Sequence, residues 1–246
     1  MKIVLTNDDG IDAPGLQALC RSVTEALADY SPEIIVVAPD RGRSECGHSV
    51  TQTRPLTLRS VKPNWYSVDG TPVDCVRVAL NALMPETDLV FSGINQGANL
   101  GVNLTVSGTF AAAREAAMIG LPAMAVSHYR HPDYPKSWDH CSRWLRETLQ
   151  QFAAQTVSAR DNCQTPESAT SGSLWNVNLP AIDPNAAPSI HECEIDQCPI
   201  PRTVKRDGSL VSFELDFHGR PRQPGRDVAA CFAGNMTISK LSPFLV

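Results

Sequence analysis

Several things are scarce in this 246-residue chain, and each scarcity removes a class of protein. No apolar run approaches the ~20 residues a bilayer-spanning helix needs, so no membrane helix is expected. Positive charge is not in excess. The 21 Lys and Arg against 26 Asp and Glu leave a net charge of −5, which argues against a nucleic-acid surface or a basic membrane patch. Paired-cysteine signatures are missing as well. The eight cysteines, at 20, 46, 75, 141, 163, 193, 198 and 231, form no C-x-x-C. With no apolar leader ahead of the first charged residues, reduced thiols in a cytoplasmic protein are expected rather than a disulfide framework. No Gly-x-Gly-x-x-Gly follows the first strand, which weakens a dinucleotide-binding reading.

What is present is a rhythm of strands and helices. Lys2 to Thr6 and Ile34 to Pro39 are short apolar runs, as in parallel strands covered on both faces. Asp88 to Gly93, Leu121 to Ser127 and Leu174 to Asn178 repeat the pattern. Helices are expected over Ala13–Leu27, Val73–Leu83, Thr109–Gly120 and Trp138–Phe152, the last amphipathic, with Trp138 and Trp144 read as core. The alternation predicts an α/β fold, a doubly wound, mostly parallel sheet of Rossmann-like type with ligands at the strand C-termini. Leu56–Arg59 and Trp65–Val68 alternate with period two and read as an inserted β-hairpin. Residues 160–173 are polar and read as a loop. After residue 180 the rhythm changes to a hairpin turning on Asp207-Gly208 and a last strand over Met236–Leu241. The chain thus divides into an α/β catalytic domain, 1–180, and a β-rich C-terminal extension, 181–246, for oligomer contacts.

The polar residues gather at the predicted strand ends. Asn7-Asp8-Asp9-Gly10 puts two carboxylates side by side where β1 should end, and a cation between them relieves their repulsion. Asp-Asp-Gly is also ordinary turn and N-cap chemistry. Ser44 and Asn95 follow two other strands and offer neutral oxygens of the kind Mg²⁺ or Mn²⁺ accepts, although each also fits a solvated loop. Ser107-Gly108-Thr109 opens a helix, where free N–H groups and hydroxyls suit a phosphate; a plain N-cap is the alternative. Arg41 and Arg43 are loop cations, and His48 is a conceivable proton donor. His191, Cys193 and Cys198 lack the spacing of a zinc site.

Read together, these segments resemble the survival protein SurE family of nucleotidases. The resemblance is carried in order by Asn7-Asp8-Asp9-Gly10, Ala13-Pro14-Gly15, Ala38-Pro39-Asp40-Arg41 with Arg43-Ser44, and Gly70-Thr71-Pro72 with Asp74-Cys75. It continues through Ser92-Gly93-Ile94-Asn95, Gly97, Asn99-Leu100-Gly101, Ser107-Gly108-Thr109 with Ala112-Ala113, and Asn176-Val177-Asn178-Leu179-Pro180. It implies a metal-dependent phosphatase acting on nucleoside 5′-monophosphates, and on 3′-monophosphates as a further substrate class. One divalent ion per subunit, Mg²⁺ or Mn²⁺, is implied on Asp8, Asp9, Ser44 and Asn95, with phosphate near Asn99, Ser107, Gly108 and Thr109. Homodimers or homotetramers built partly by the C-terminal extension are implied too. Val102-Asn103 stands where the family often has an acidic pair, and Val106 where it has an aromatic. Beyond residue 180 the match is loose, at Asp227 and Ala233-Gly234-Asn235. A water activated by the metal is the expected nucleophile, with Asp8 or Asp9 as candidate base. A covalent aspartyl route usually has its carboxylates one residue apart, and here they are adjacent. A non-hydrolytic nucleotide-binding or regulatory protein on the same fold is the competing reading.

Overall fold

The computed structural model describes residues 1–44, 46–162 and 172–244. Its main sheet has nine strands in the order β3-β4-β2-β1-β5-β6-β7-β11-β8. Here β1 is Lys2–Thr6, β2 Glu33–Pro39, β3 Leu58–Lys62, β4 Trp65–Val68, β5 Leu89–Gln96, β6 Ala123–His128, β7 Leu174–Leu179, β8 Ile190–Glu192 and β11 Met236–Leu241. The strands β4, β2, β1, β5, β6 and β7 run parallel. β3 is antiparallel to β4, and β11 is antiparallel to β7. A separate antiparallel pair, β9 Arg202–Asp207 with β10 Leu210–Leu215, stands apart from this sheet.

Side chains alternate across each strand and build two apolar layers. Ile3 and Leu5 face α1, Pro14–Ala26, and α4, Cys141–Asn162, through Leu16, Leu19, Leu145 and Phe152. Val4 faces the other way, toward α2, Pro72–Val78, and α3, Gly108–Met118, through Val76, Phe110 and Ala113. The chain leaves β1 to β2 on one side and returns to β5 on the other. That reversal is the crevice where ligands bind in such sheets.

The expected α/β fold is present, with several differences in its elements. The hairpin at 58–68 is the edge of the main sheet, because β4 pairs parallel with β2 from Val36↔Trp65 to Pro39↔Val68. The helix expected over 138–152 begins at Cys141 and continues to Asn162, so residues 160–162 are helical; the rest of the expected loop lies largely over 163–171, outside the described residues. The helix expected over 73–83 is α-helical only to Val78 and closes in a π-helical turn, Ala79–Leu83. The C-terminal segment returns two strands, β11 and β8, to the main sheet, and adds a short helix, α5, Asp227–Phe232. No helix among the described residues is long and apolar enough to cross a membrane.

Candidate metal and phosphate site

The turn after β1 is closed by Asn7, whose Nδ2 donates to Gly10 O at 2.9 Å while Gly10 N–H donates back to Asn7 Oδ1 at 3.2 Å. Asn7 therefore supplies the turn chemistry and leaves both carboxylates for other work. Asp8 is buried and Asp9 half-buried. Thr109 donates its hydroxyl to Asp8 Oδ1, and the backbone N–H of Gln96 donates to Asp9 Oδ2 at 3.1 Å. Among the described residues, no Lys, Arg or His forms an ion pair with either carboxylate. Burial, and then the neighbouring Asp9 charge, push Asp8 up to about 6; burial also raises Asp9. Two adjacent acids held out of water without a counter-charge are what a hard dication satisfies.

α3 begins directly against Asp8. A Cβ on Gly108 would stand 2.9 Å from Asp8 Cβ and 3.1 Å from its Oδ2, so only glycine lets the helix start come this close. Ser107 caps the helix, accepting from Phe110 N–H at 3.0 Å. The helix start thus turns its positive dipole end to the acid pair, with the Thr109 backbone also hydrogen-bonding Asp8, a geometry suited to an anion bridging metal and helix.

The other sequence candidates lie on neighbouring strand ends and loops. The loop carrying Ser44 is tied to the turn by Arg43 N–H donating to Asp8 O at 2.7 Å, and Ser44 itself is exposed. Asn95 lies at the end of β5, its Nδ2 donating to Gly97 O at 2.9 Å, which leaves Oδ1 as the atom able to serve a cation. Asn99 is buried, with its side-chain amide donating to Ser127 Oγ at 2.8 Å. Its backbone is gripped by Asn178 Oδ1 at 2.9 Å, Asn176 Nδ2 at 2.9 Å and Asn178 Nδ2 at 3.0 Å. The Asn-Val-Asn motif on β7 therefore acts by pinning the loop after β5. Asp74 works in a capping box with Thr71 and also accepts from Thr51 N–H at 3.0 Å, a structural role.

His48 is not free to donate a proton to a ligand. Its Nδ1 accepts from Arg114 Nε at 3.1 Å, so Nε2 carries the hydrogen and donates to Glu115 Oε2 at 2.8 Å. Arg43 pairs with Asp40 at 2.9 Å. Trp144 is core, as expected, and Trp138 packs against that core. Two neighbours escaped the sequence reading. The Cys46 thiol, raised by burial and then by the charge of Asp8, would lie 3.2 Å from a Cβ on Gly108. The Gln96 amide reaches Asp9, and a backbone donor leaves no trace in residue type.

Another cluster lies two strands along. His128, His140 and Cys141 bring ligand-type atoms within 4.8 Å of one another, at the end of β6 and the start of α4. His128 Nδ1 donates to Tyr129 O at 2.8 Å, since a carbonyl only accepts. Burial and nearby Arg130 lower His128 to about 3 and His140 to about 4, so both rings are neutral and His140 Nε2 donates to His128 Nε2 at 2.8 Å. Burial pushes Cys141 up to about 12. The His128 lone pair facing His140 is already used and His140 Nδ1 has no hydrogen-bond partner, but the Arg130 guanidinium opposes a further positive charge. His191, Cys193 and Cys198 do not converge among the described residues.

Residues 3–201 match the profile of the family described as Survival protein SurE. A 5'-nucleotidase SurE from Legionella pneumophila subsp. pneumophila is 49% identical over 221 residues, covering 90% of this chain and 78% of that one. A 5'-nucleotidase SurE from Paramagnetospirillum magneticum is 33% identical over 255 residues, covering 98% and 89%. The crystal structure of the SurE protein from Aquifex aeolicus superposes with a TM-score of 0.78 at 28% identity, over 100% of this chain and 95% of that one. With its acid pair at the sheet reversal, its glycine-started α3 and this match over most of its length, the chain belongs to the survival protein SurE family.

Proposed function

We propose that this protein is a metal-dependent phosphomonoesterase that hydrolyses nucleoside 5′-monophosphates, and 3′-monophosphates as a further class, to nucleoside and phosphate. The observation that carries the reading is the buried Asp8 with Asp9, lacking any counter-cation among the described residues, against the open start of α3. The nucleotide substrate is supported by the relatives named 5'-nucleotidase SurE.

One divalent ion, Mg²⁺ or Mn²⁺, would be held by Asp8 and Asp9 with Asn95 and Ser44 as neutral donors. When bound, such an ion neutralises phosphate charge and activates water. The chain supplies the rest. The Ser107–Thr109 turn, through the Gly108 amide, the Ser107 hydroxyl and the positive end of α3, holds the equatorial phosphate oxygens and keeps stabilising them as charge builds in the transition state. Thr109 fixes Asp8 by its hydroxyl, and the Gln96 amide fixes Asp9, so both carboxylates face the crevice in one arrangement. Asp8 and Asp9 are the candidate bases. Asn99 lines the same loop and is proposed as a substrate contact.

Residues 181–246 are proposed to build a homodimer or homotetramer beside a catalytic domain of residues 1–180, and the protein is proposed to be cytoplasmic. The assembly reading is supported by β9 and β10, which leave Leu210 73% and Phe213 64% exposed beside Val204 and Val211. The test of the activity is phosphate release from a panel of 5′- and 3′-monophosphates with Mn²⁺, with Mg²⁺ and with a chelator. Chelator-sensitive release supports the proposal. Nucleotide binding without release, from folded protein, favours the non-hydrolytic alternative.

A further inference from the structure

The turn that presents Ser107, Gly108 and Thr109 is held from outside the parallel sheet. Gly101–Val106 form a short 3-10 helix that runs straight into the cap Ser107, whose N–H donates to Leu104 O at 3.3 Å. The anchors of this helix come from residues 196–228. Buried Asp227 accepts Gly101 N–H at 2.8 Å on one oxygen and the N–H of Asp196 and Val228, each at 2.8 Å, on the other. Asp196 in turn accepts from Cys198 N–H and Gln223 N–H, each at 2.7 Å.

Arg220 completes the hold. It is only 2% exposed, and its Nη1 donates to Asn103 Oδ1 at 3.0 Å. Both Nη atoms approach Leu100 O at 3.5 Å. There is no slack beside it, since a Cβ on Gly101 would stand 2.7 Å from Arg220 Nη2 and 2.9 Å from Asp196 O. An apolar side chain of similar length fills the same space without requiring Asp196 and Asp227 nearby to balance a buried charge. What the guanidinium alone supplies is a planar set of donors directed at Leu100 and Asn103.

We infer that Arg220 is a positioning residue for the phosphate-binding turn: by holding Leu100 and Asn103 it sets where Ser107, Gly108 and Thr109 stand against Asp8. The inference rests on the phosphate role proposed above for that turn. The transmission is short, because Asn103 lies within the 3-10 helix that ends at the cap and the start of α3 is already in contact with Asp8. A displacement of the turn by a fraction of an ångström takes its donors off the phosphate, while the backbone of Asp8 stays held by the Asn7–Gly10 turn and Asp9 by the Gln96 amide.

The test uses the full chain with Arg220→Met, Asn103→Ala, the double variant and Asn103→Asp. Binding of inorganic phosphate in the presence of Mn²⁺, Mn²⁺ affinity, KM and kcat for a nucleoside 5′-monophosphate, and Tm are measured for each. Arg220→Met is expected to raise the phosphate Kd and KM about tenfold, with Asn103→Ala at about threefold and Mn²⁺ affinity within about twofold of wild type. The double variant is expected to be no weaker than Arg220→Met, and Asn103→Asp, which keeps the acceptor, to bind phosphate like wild type. A lowered Tm with unchanged phosphate Kd and KM means that Arg220 only fills space, and overturns the inference. If Arg220→Met does not fold, Asn103→Ala decides alone, and unchanged phosphate affinity in it overturns the inference equally. Wild-type protein that binds phosphate yet releases none from nucleotides sinks the proposed hydrolysis and leaves this inference standing.

Discussion

Two polar clusters sit at the C-terminal edge of the same sheet, and they differ in what they leave unsatisfied. Asp8 and Asp9, after β1, are like charges in a partly dry crevice, with no cation among the described residues paired to either. His128 and His140, at β6 and just before α4, are neutral rings joined by one hydrogen bond beside the Arg130 guanidinium and the protonated Cys141 thiol, and what they leave unsatisfied is a neutral lone pair, that of His140 Nδ1. By residue type the histidine cluster is the stronger metal candidate, since imidazole and thiolate bind transition metals well. By electrostatics the acid pair is the better one. A cation is attracted to where negative charge is buried and unbalanced, and ligand-type atoms alone do not create that attraction.

The comparison breaks most visibly through Asp8. Asp8→Asn keeps the shape and removes half the negative charge, and phosphate release is expected to fall by about a thousandfold or more. Retention of about a tenth of the activity would remove Asp8 from the metal site. Gly108→Ala comes next. Its methyl would enter within 2.9 Å of Asp8 Cβ, and the α3 start must retreat. A fall of about a hundredfold in kcat/KM is expected with the circular dichroism spectrum unchanged.

The pH dependence of stability sharpens the contrast. An aspartate raised from 3.8 to about 6 binds its proton more tightly in the folded state. Its stabilising contribution is therefore complete below about pH 4 and is lost as pH rises through 6. For Asp8 this is on the order of 3 kcal/mol between acid and neutral pH in metal-free protein. Chelator-treated wild type should lose more stability from about pH 4 to 7 than Asp8→Asn, and saturating Mn²⁺ should remove the difference. Parallel pH profiles for the two proteins would show that Asp8 is not held protonated by its surroundings. The smallest effect on catalysis is expected at the other cluster. His140→Ala removes the donor to His128 and should lower stability by about 1–3 kcal/mol while leaving metal-dependent turnover within about twofold.

Much of this site is legible along the chain because its parts are local. The Asn7–Gly10 turn, the Ser107 cap and the apolar runs of β1, β2 and β5 each declare themselves within a short stretch of sequence. What is not legible depends on long-range meetings. That Asn176 and Asn178 grip the backbone of Asn99 requires β7 to arrive three strands from β1, a register no local pattern encodes. The return of β11 to the sheet is hidden for the same reason. α4 extends past Phe152 although the residues from Gln155 to Asn162 are mostly polar and carry no apolar periodicity to signal a helix. The π-helical turn after Val78 keeps an apolar spacing that a regular helix would share.

The most direct measurement is the number of Mn²⁺ ions bound per chain, by equilibrium dialysis of the wild type, of Asp8→Asn/Asp9→Asn and of His128→Ala/His140→Ala. The account predicts one ion for the wild type and for the histidine variant, and none for the aspartate variant. An ion retained by the aspartate variant and lost from the histidine variant would contradict it and move the metal to β6.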